Sequence, residues 1–389
     1  MPVLNRIAGF AEDMKTWRRH IHMHPELGLD CHGTAAFVVE RLREIGVDEI
    51  HTGIAESGVV AVINGQGDGP VTALRADMDA LPMDEATGAD WASTVPGRMH
   101  ACGHDGHTTM LLGAARYLAE TRRFRGKAVL IFQPAEEIIG GGRLMVEEGI
   151  MDTFGVDEVF AIHTDPFADL GMLRTTPGPI MAAVDDFSIT LTGKGGHAAY
   201  PQDCVDPIPA ALALGHALMS IPARNADALK SLVVSLTQVH SGSAFNVIPE
   251  KATLTGTVRS FDAALQDRVE QRFHEIVEGI GTTYGVKAEL HYQRDYPATI
   301  NHAEQAAFAA EVAREVTGAT RVVDDLSPEM GSEDFSFMLN ARPGAFLFLG
   351  QGVGPSVHHP EFDFNDEAAP IGASFLARLV EKRNGTEVA

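Results

Sequence analysis

The segment Met99–His107 holds the densest group of metal-binding side-chain types in the sequence: His100, Cys102, His104, Asp105 and His107. Thiolate and imidazole are good ligands for zinc and similar divalent cations. A helix is predicted to begin near Thr108, and its N-terminus is expected to lower the pKa of Cys102 and favour the thiolate. A hydrogen-bonded loop with unrelated histidines is the alternative, and this segment alone does not decide between the two.

A second set of acidic and histidine side chains follows predicted strands. In open α/β sheets, ligands bind outside the carboxyl ends of the strands, so the joint placement of these residues favours a metal site. Taken singly, Glu136 and Glu137 could be a solvated helix start, and His163 a buried structural histidine. Of two adjacent glutamates, one can bind a metal while the other acts as general base. The residues at strand ends are Asp77 and Asp79, Glu136 and Glu137, His163, and His358 and His359.

Other catalytic schemes have less support. The sequence contains no Gly-x-Ser-x-Gly motif of the common α/β serine hydrolases and no phosphate-binding motif of nucleotide enzymes. Cys102 could act as a nucleophile with His104 as its base. Residues two apart rarely form that pair without a third orienting group, however, and this scheme leaves Glu137, His163 and His358 unused.

The elements that must position these residues alternate between apolar runs and helical patterns. Such alternation predicts an α/β sheet with parallel strands covered by helices. Gly46 is the expected C-cap of the second helix. We predict strands at 59–63, 71–75, 128–132 and 158–163, and helices at 7–19, 34–45, 110–120 and 143–148.

The segment Phe187–Tyr292 has the order strand, helix, strand, strand, helix, strand. This is the β-α-β-β-α-β order of a ferredoxin-like unit. The chain then returns to a helix, a strand and a last helix, and an insertion explains this order better than three domains in a row. We therefore predict one discontinuous α/β domain at 1–183 and 296–389, interrupted by an inserted α+β domain at 184–295.

Composition limits the classes of function. The chain has 389 residues, and 53 acidic against 30 basic residues give a formal charge of −23. This excess argues against nucleic acid or an acidic membrane as partner. Three dispersed cysteines argue against a disulfide framework, and no apolar run has the length of a signal peptide or a membrane span. We expect a soluble cytoplasmic protein.

Short motifs of chemically distinctive residues run along nearly the whole chain. They are, in chain order, His22–Gly28 (HMHPELG), Leu74–Pro82 (LRADMDALP), Met99–His107 (MHACGHDGH), Phe132–Glu137 (FQPAEE), Gly195–Ala199 (GGHAA), Gly331–Phe335 (GSEDF) and His358–Pro360 (HHP) through Asp363–Asp366 (DFND). In type and order these motifs resemble those of the M20 metallopeptidase-related amidohydrolases, in the branch of bacterial hippurate hydrolases, N-acyl-amino-acid amidohydrolases and plant auxin-conjugate hydrolases. The resemblance implies a mixed-sheet catalytic domain of the zinc-peptidase type, with the inserted domain as lid and dimerisation domain.

The resemblance also implies a site. It implies two divalent cations per subunit (zinc, manganese, cobalt or nickel), with Cys102 as the bridging thiolate and Glu136 as general base. His359 could replace the adjacent His358, although the His-x-Pro pattern of the family favours His358. The implied metal ligands are Cys102, His104, Glu137, His163 and His358.

Three further roles are implied for the inserted domain. His197 matches a residue that polarises the scissile carbonyl and that serves the partner subunit's site in related enzymes, which implies a homodimer or a dimer-based oligomer. Asn246 and Arg259 match residues that recognise the carboxylate side of the substrate. A turn residue and a surface cation are the alternatives for these two positions.

The expected activity is hydrolysis of the amide bond in small N-acyl amino acids of the N-benzoyl or N-acetyl type, which gives a carboxylic acid and a free amino acid. A small-peptide exopeptidase or a carbamoylase could use the same site. A non-catalytic metal or metabolite binder is the alternative from another class, and the presence of both Glu136 and Glu137 argues against it.

Overall fold

The computed structural model describes residues 3–385, so residues 1–2 and 386–389 of the predicted domain ranges lie outside the described residues. The strands are β1 (Glu49–Ile54), β2 (Gly58–Asn64), β3 (Val71–Asp77), β4 (Lys127–Gln133), β5 (Glu158–Asp165), β6 (Leu173–Arg174), β7 (Gly178–Met181), β8 (Ala183–Thr192), β9 (Gly196–His197), β10 (Leu232–Ser241), β11 (Val247–Ile248), β12 (Lys251–Ser260), β13 (Lys287–Tyr296), β14 (Thr299–Asn301), β15 (Val322–Val323) and β16 (Gly344–Gly350). The α-helices are α1 (Asn5–Ala8), α2 (Ala11–Met23), α3 (His32–Ile45), α4 (His104–Thr121), α5 (Gly141–Glu147), α6 (Ile150–Thr153), α7 (Pro207–Met219), α8 (Ile221–Arg224), α9 (Ala263–Tyr284), α10 (Ala303–Thr317), α11 (Phe335–Ala341) and α12 (Ala369–Arg383).

The described chain separates into two compact units. Unit 1 runs to Ile180 and also includes Ile300–Ser327 and the chain from Asp334 onward. Unit 2 comprises Met181–Thr299 and Pro328–Glu333. The assignment of catalytic and lid functions to the ranges 1–183 with 296–389 and 184–295 stays a prediction.

Unit 1 is built on an eight-stranded mixed sheet of order β1-β2-β4-β3-β5-β16-β6-β15. Its centre is parallel, because β3 pairs in parallel with β4 and β5, and β5 with β16. The prediction of parallel strands is wrong towards both edges, where β2 is antiparallel to β1 and β4, and β6 is antiparallel to β16; the sheet is mixed, as the resemblance implies. Only a short turn joins β1 to β2, and such a turn permits only antiparallel pairing.

Apolar strands form the core of unit 1. Every residue of β16 is buried, and the interiors of β2, β3 and β4 are buried as well. Helix α4 packs on α2 and α12 within the same buried cluster. Gly106, in the first turn of α4, permits a close approach, because a Cβ at this position would lie 2.4 Å from the Phe364 ring.

Local sequence signals explain some of the helix boundaries. Gly46 ends α3 in the left-handed conformation, with φ of 81°, as predicted for a C-cap. Asp262 begins α9, since its side chain accepts a hydrogen bond from Leu265 N. The opening helix predicted at 7–19 is instead two helices, α1 and α2, which are separated at Gly9–Phe10.

Unit 2 contains a four-stranded antiparallel sheet of order β10-β12-β8-β13, with α7 and α9 packed on it. This is the strand order of the predicted ferredoxin-like fold. Phe187, Ile189 and Leu191 alternate along β8 and enter the core with Phe273 of α9. The opposite face of β8 and β12 is only half-buried, as expected for a sheet with helices on one side.

Candidate metal centre

Parallel strands bring the candidate ligands of unit 1 to one edge of the sheet. β3, β4, β5 and β16 run in the same direction, so their carboxyl ends lie together. Glu136 and Glu137 follow β4, and His163 lies near the end of β5. The loop after β16 leads to His358, whose backbone N–H donates to Ala101 O at 2.8 Å.

Helix α4 begins at His104 and not near Thr108, so the prediction of its start was late by one turn. The residue before it, Gly103, has φ of 86°, a conformation that glycine adopts without strain. This sharp entry places Cys102 just outside the helix and His104 at its first position. Both residues are buried.

The predicted ligands form two clusters that share one sulfur atom. Cys102, His104 and His163 make one group, and Cys102, Glu137 and His358 make the other. In each group the ligand atoms lie within 4.8 Å of one another. Cys102 Sγ is 3.4 Å from His163 Nε2, and His358 Nε2 is 3.4 Å from Glu137 Oε1.

Hydrogen bonds to backbone carbonyls orient two of the histidines. His104 Nδ1 donates to Asp79 O at 2.9 Å, and His163 Nδ1 donates to Thr164 O at 2.7 Å. A carbonyl oxygen only accepts, so both rings carry the proton on Nδ1 and present an unprotonated Nε2 when neutral. This is the arrangement that a metal-binding histidine needs.

Asp79 fixes the two adjacent glutamates. Its Oδ1 accepts from Glu136 N at 3.0 Å, and its Oδ2 accepts from Glu137 N at 3.1 Å. The preceding residue, Ala135, has φ of 56°, and His358 has φ of 63°. Non-glycine residues in this left-handed region cost free energy, and such strain clusters at functional sites.

The donor set fits divalent cations. His104 Nε2 and Glu137 Oε1 are buried and make no hydrogen bond to another residue within 3–385. Buried polar atoms without partners are costly, and a cation would satisfy both. One sulfur, three imidazole nitrogens and carboxylate oxygens are a chemically suitable set for zinc or a related transition metal.

The expectation that the helix N-terminus lowers the pKa of Cys102 was wrong. Burial raises the pKa of this thiol well above its ordinary value, and the negative charges of Glu137 and Glu136 raise it further. The dipole is weak compared with full charges at close range and with loss of solvent.

His107 lies beside the candidate ligands, with its ring centroid 5.4 Å from that of His104 and 4.5 Å from that of His163, and it forms a further possible cluster with Asp77 and His104. Its Nδ1 bonds Asp77 Oδ1 at 2.7 Å, and its Nε2 accepts from Thr164 N at 2.9 Å, so both nitrogens are used within the chain. Burial lowers its pKa to about 4. His100 is buried as well and is absent from the clusters of possible ligands found in the described chain.

Sequence reasoning did not assign roles to several orienting residues. Arg75 donates to Asp77 at 2.7 Å and to Asp334 at 2.8 Å, and it also bonds Gln133. Asp79 holds the glutamates. The signal for Asp77 and Asp79 was their place after β3, whereas Asp334 entered only as part of the GSEDF motif, without a role at this edge of the sheet.

Of the two adjacent histidines near the C-terminus, His358 is the one in the ligand cluster. His359 Nδ1 instead accepts from Glu361 N at 3.1 Å. The ligand roles of all these residues remain predictions.

The other predicted site residues lie in unit 2. His197 on β9 pairs with Val247 on β11, and Ala198 N donates to Asn246 O at 3.0 Å, so His197 and Asn246 are neighbours. Both are exposed. Arg259 lies separately on β12 and is half-buried, and its guanidinium donates hydrogen bonds to Thr257 Oγ1 and Val258 O.

Comparison with known proteins connects this geometry to a family. Residues 73–382 match the model of peptidase family M20/M25/M40. The chain is 40% identical to an N-acetyl-L-cysteine deacetylase of Bacillus subtilis, over 94% of this chain and 86% of that protein. It is 38% identical to the hippurate hydrolase of Campylobacter jejuni, over 98% of this chain and 99% of that protein.

A solved structure is similar over the same extent. It is the YXEP protein of Bacillus subtilis, described as a dinuclear metal binding peptidase from the M20 family. That chain is 34% identical, covers 97% of this chain and 99% of its own length, and superposes with a TM-score of 0.86. Within residues 3–385, no helix has both the length and the apolar character needed to span a membrane.

Proposed function

The chain belongs to peptidase family M20/M25/M40, and we propose that it hydrolyses the amide bond of N-acyl amino acids at a two-metal site. The predicted family, the α/β fold class and the class of metal-dependent amidohydrolases are confirmed by the family match and the named relatives. The acyl group and the amino acid are the parts that we propose.

One observation carries the proposal. The five candidate ligands form two clusters, and Cys102 belongs to both. A shared thiolate between two sets of nitrogen and oxygen donors is suited to a pair of cations. When bound, two divalent cations supply Lewis acidity, which favours deprotonation of water near neutral pH and polarises an amide carbonyl.

Glu136 is the general base in this proposal. Its backbone N–H is anchored on Asp79, and its side chain lies among the buried residues beside His104 and Glu137. The carboxylate removes a proton from the attacking water as the oxygen–carbon bond forms. It then delivers that proton to the amide nitrogen as the carbon–nitrogen bond breaks, so the products are a carboxylic acid and an amine.

Arg259 and Asn246 supply recognition of the leaving amino acid. The Arg259 guanidinium makes no ion pair with a carboxylate in the described chain, which leaves its charge available for the carboxylate of a substrate. A guanidinium fork matches a carboxylate in shape and charge. The relatives named for hippurate and for N-acetyl-L-cysteine both take substrates with a free carboxylate beside the amide.

His197 stabilises the developing oxyanion in this proposal, and it does so in the partner subunit of a homodimer. Its Nδ1 accepts from Ala199 N at 3.1 Å, so the neutral ring carries its proton on Nε2 and presents a donor. The neighbouring Tyr200 and Phe245 are 56% and 106% exposed, which supports an interface at this part of unit 2.

Release of free amino acid from a panel of N-acyl amino acids tests the proposed function. We expect benzoylglycine or N-acetyl amino acids to be cleaved far faster than simple dipeptides or N-carbamoyl amino acids. Chelation should abolish turnover, and zinc, manganese, cobalt or nickel should restore it. Full activity in a preparation shown by elemental analysis to contain no metal would contradict the two-metal site. Preferential cleavage of dipeptides would instead support an exopeptidase.

A further inference from the structure

Arg18 is a fully buried arginine that the proposed reaction does not use. It lies on α2, and its side chain is 1% exposed. Its Nη1 is 2.9 Å from Asp363 Oδ1 and 3.7 Å from Asp105 Oδ2, and its Nε donates to Asp366 Oδ1 at 2.7 Å. One guanidinium therefore faces three carboxylates.

These carboxylates come from the two segments that carry His104 and His358. Asp105 directly follows His104 in the first turn of α4. Asp363 and Asp366 lie in the stretch that follows His358. Arg18 is thus a link from α2 to both ligand-bearing segments.

Two further contacts surround this link: one ties α2 to Asp105, and the other packs the two ligand-bearing segments against each other. His22, one turn after Arg18 on α2, bonds Asp105 Oδ2 through Nδ1 at 2.8 Å and lies 3.3 Å from Glu85 through Nε2. The Phe364 ring packs on Gly106 without room for a Cβ. The contact between the two segments is therefore closely packed, so the neighbouring side chains have little room to adjust when Arg18 is replaced.

The chemistry of the link requires arginine. A buried charge is retained only when it is paired, so loss of the guanidinium leaves several carboxylates uncompensated. Lysine keeps the charge but presents a single compact ammonium, which cannot reproduce the planar fork that reaches Asp363 and Asp366 from two nitrogens.

We propose that Arg18 is a positioning residue that fixes the spacing of the His104 and His358 segments and thereby sets the affinity of the centre for its cations. This inference rests on the metal site of the proposed function. Residues that orient metal ligands from outside the coordination sphere typically change metal affinity by about 10- to 100-fold when they are substituted.

The test measures Zn²⁺ binding to the metal-free full-length protein by calorimetric titration, together with the rise in Tm on adding Zn²⁺. Arg18→Lys and Asp363→Asn should weaken binding of at least one Zn²⁺ by about 10-fold or more, and the metal-induced rise in Tm should shrink. Arg19→Lys is the matched control. Arg19 contacts Asp366 and the Trp91 ring but, among the described residues, makes no ion pair with Asp105, so the Zn²⁺ affinity of this variant should stay within about 2-fold of wild type.

Wild-type Zn²⁺ affinity in both variants would overturn the proposal. So would a lower Tm of the metal-free protein with an unchanged metal-induced rise, because that pattern marks a purely structural role. If Arg18→Lys does not fold, the Zn²⁺ affinity of Asp363→Asn alone decides whether the proposal stands. A wild-type protein that binds Zn²⁺ but does not cleave N-acyl amino acids would refute the proposed function and leave the role of Arg18 intact.

Discussion

The candidate residues of unit 1 and those of unit 2 are held in different ways. In unit 1, the Asp79 carboxylate accepts hydrogen bonds from the backbone N–H groups of Glu136 and Glu137, and its backbone oxygen accepts one from His104 Nδ1. In unit 2, His197 and Asn246 are exposed. Within residues 3–385, the hydrogen bonds of the Arg259 guanidinium go to Thr257 and Val258 on its own strand.

The difference indicates two kinds of task. A metal centre needs donors that are fixed before the cation arrives, and hydrogen bonds from neighbouring residues to those donors supply that order. Residues that recognise a substrate keep polar atoms free of internal partners, so that the substrate provides the missing ones. The candidate ligands of unit 1 are thus held by internal hydrogen bonds, whereas His197 and Asn246 of unit 2 keep exposed side chains, as the proposed recognition of a substrate requires.

Substitutions of the adjacent residues Glu136 and Glu137 have the largest expected effect and test the candidate metal centre of unit 1. We expect Glu136→Gln to lower kcat by about 10²- to 10⁴-fold while metal content stays at the wild-type value, because it removes a general base. Glu137→Gln should also be nearly inactive, but it should lose metal, because it removes a charged ligand. Kinetics and elemental analysis of both purified variants measure the two effects.

Glu147→Gln is a suitable control, because Glu147 is exposed on the nearby helix α5 and pairs only loosely with Arg143, at 4.0 Å. It should match wild type in both measurements. Normal metal content in both glutamate variants, with Glu137→Gln alone inactive, would reverse the two assigned roles.

Arg259 tests the contrasting property of unit 2. Arg259→Ala should raise KM about 10- to 100-fold for substrates with a free carboxylate, since hydrogen bonds to charged groups contribute about 1.5–3 kcal/mol. The corresponding primary amides should be affected far less. Steady-state kinetics on matched acid and amide substrates measures this split.

Arg294→Ala is the matched control for that experiment. Arg294 lies on β13 of the same unit and is already paired with Asp267 and Glu270, at 2.8 and 2.5 Å. Its loss should leave KM within about 2-fold of wild type. An equal rise in KM for acids and amides in Arg259→Ala would contradict carboxylate recognition.

The sequence predicted most of the fold because its signals were local. Apolar runs located β2, β3, β4 and β5 within two residues at each end, and Gly46 marked the end of α3. Strand β1 was not predicted, because its residues are largely exposed and form no apolar run. The start of α4 was placed late, because histidines and glycine are weak signals for a helix start.

The site could be predicted only in part for a related reason. The residue types that bind metals and the ends of the predicted strands can be recognised in the sequence, and both led to the prediction of Cys102 and Glu137 as candidate ligands. The orienting contacts join residues far apart in the chain, such as Arg75 with Asp334, and periodicity carries no such information. The pKa of Cys102 was predicted in the wrong direction, since burial and neighbouring carboxylates depend on the tertiary structure.

The last prediction asks whether the exposed histidine of unit 2 serves the same chain or its partner. Glu136→Gln and His197→Ala should each be nearly inactive as homodimers, since every site lacks either the base or the oxyanion donor. If His197 acts in trans, a heterodimer of the two variants contains one complete site, with the intact Glu136 of one subunit and the intact His197 of the other. Random pairing makes half of the dimers mixed, and one site of two is complete in each, so about a quarter of wild-type activity should return.

Co-expression of differently tagged variants, followed by tandem purification of the mixed dimer, makes the measurement independent of random pairing. The purified heterodimer should show about half of the wild-type kcat per dimer with an unchanged KM, because the complete site is intact and its neighbour is dead. A heterodimer of Glu136→Gln with Glu137→Gln, in which each subunit's site lacks one of its own two glutamates, is the matched control and should recover nothing. Isolated heterodimers of Glu136→Gln and His197→Ala that remain inactive would show that His197 acts within its own chain or has no part in the reaction.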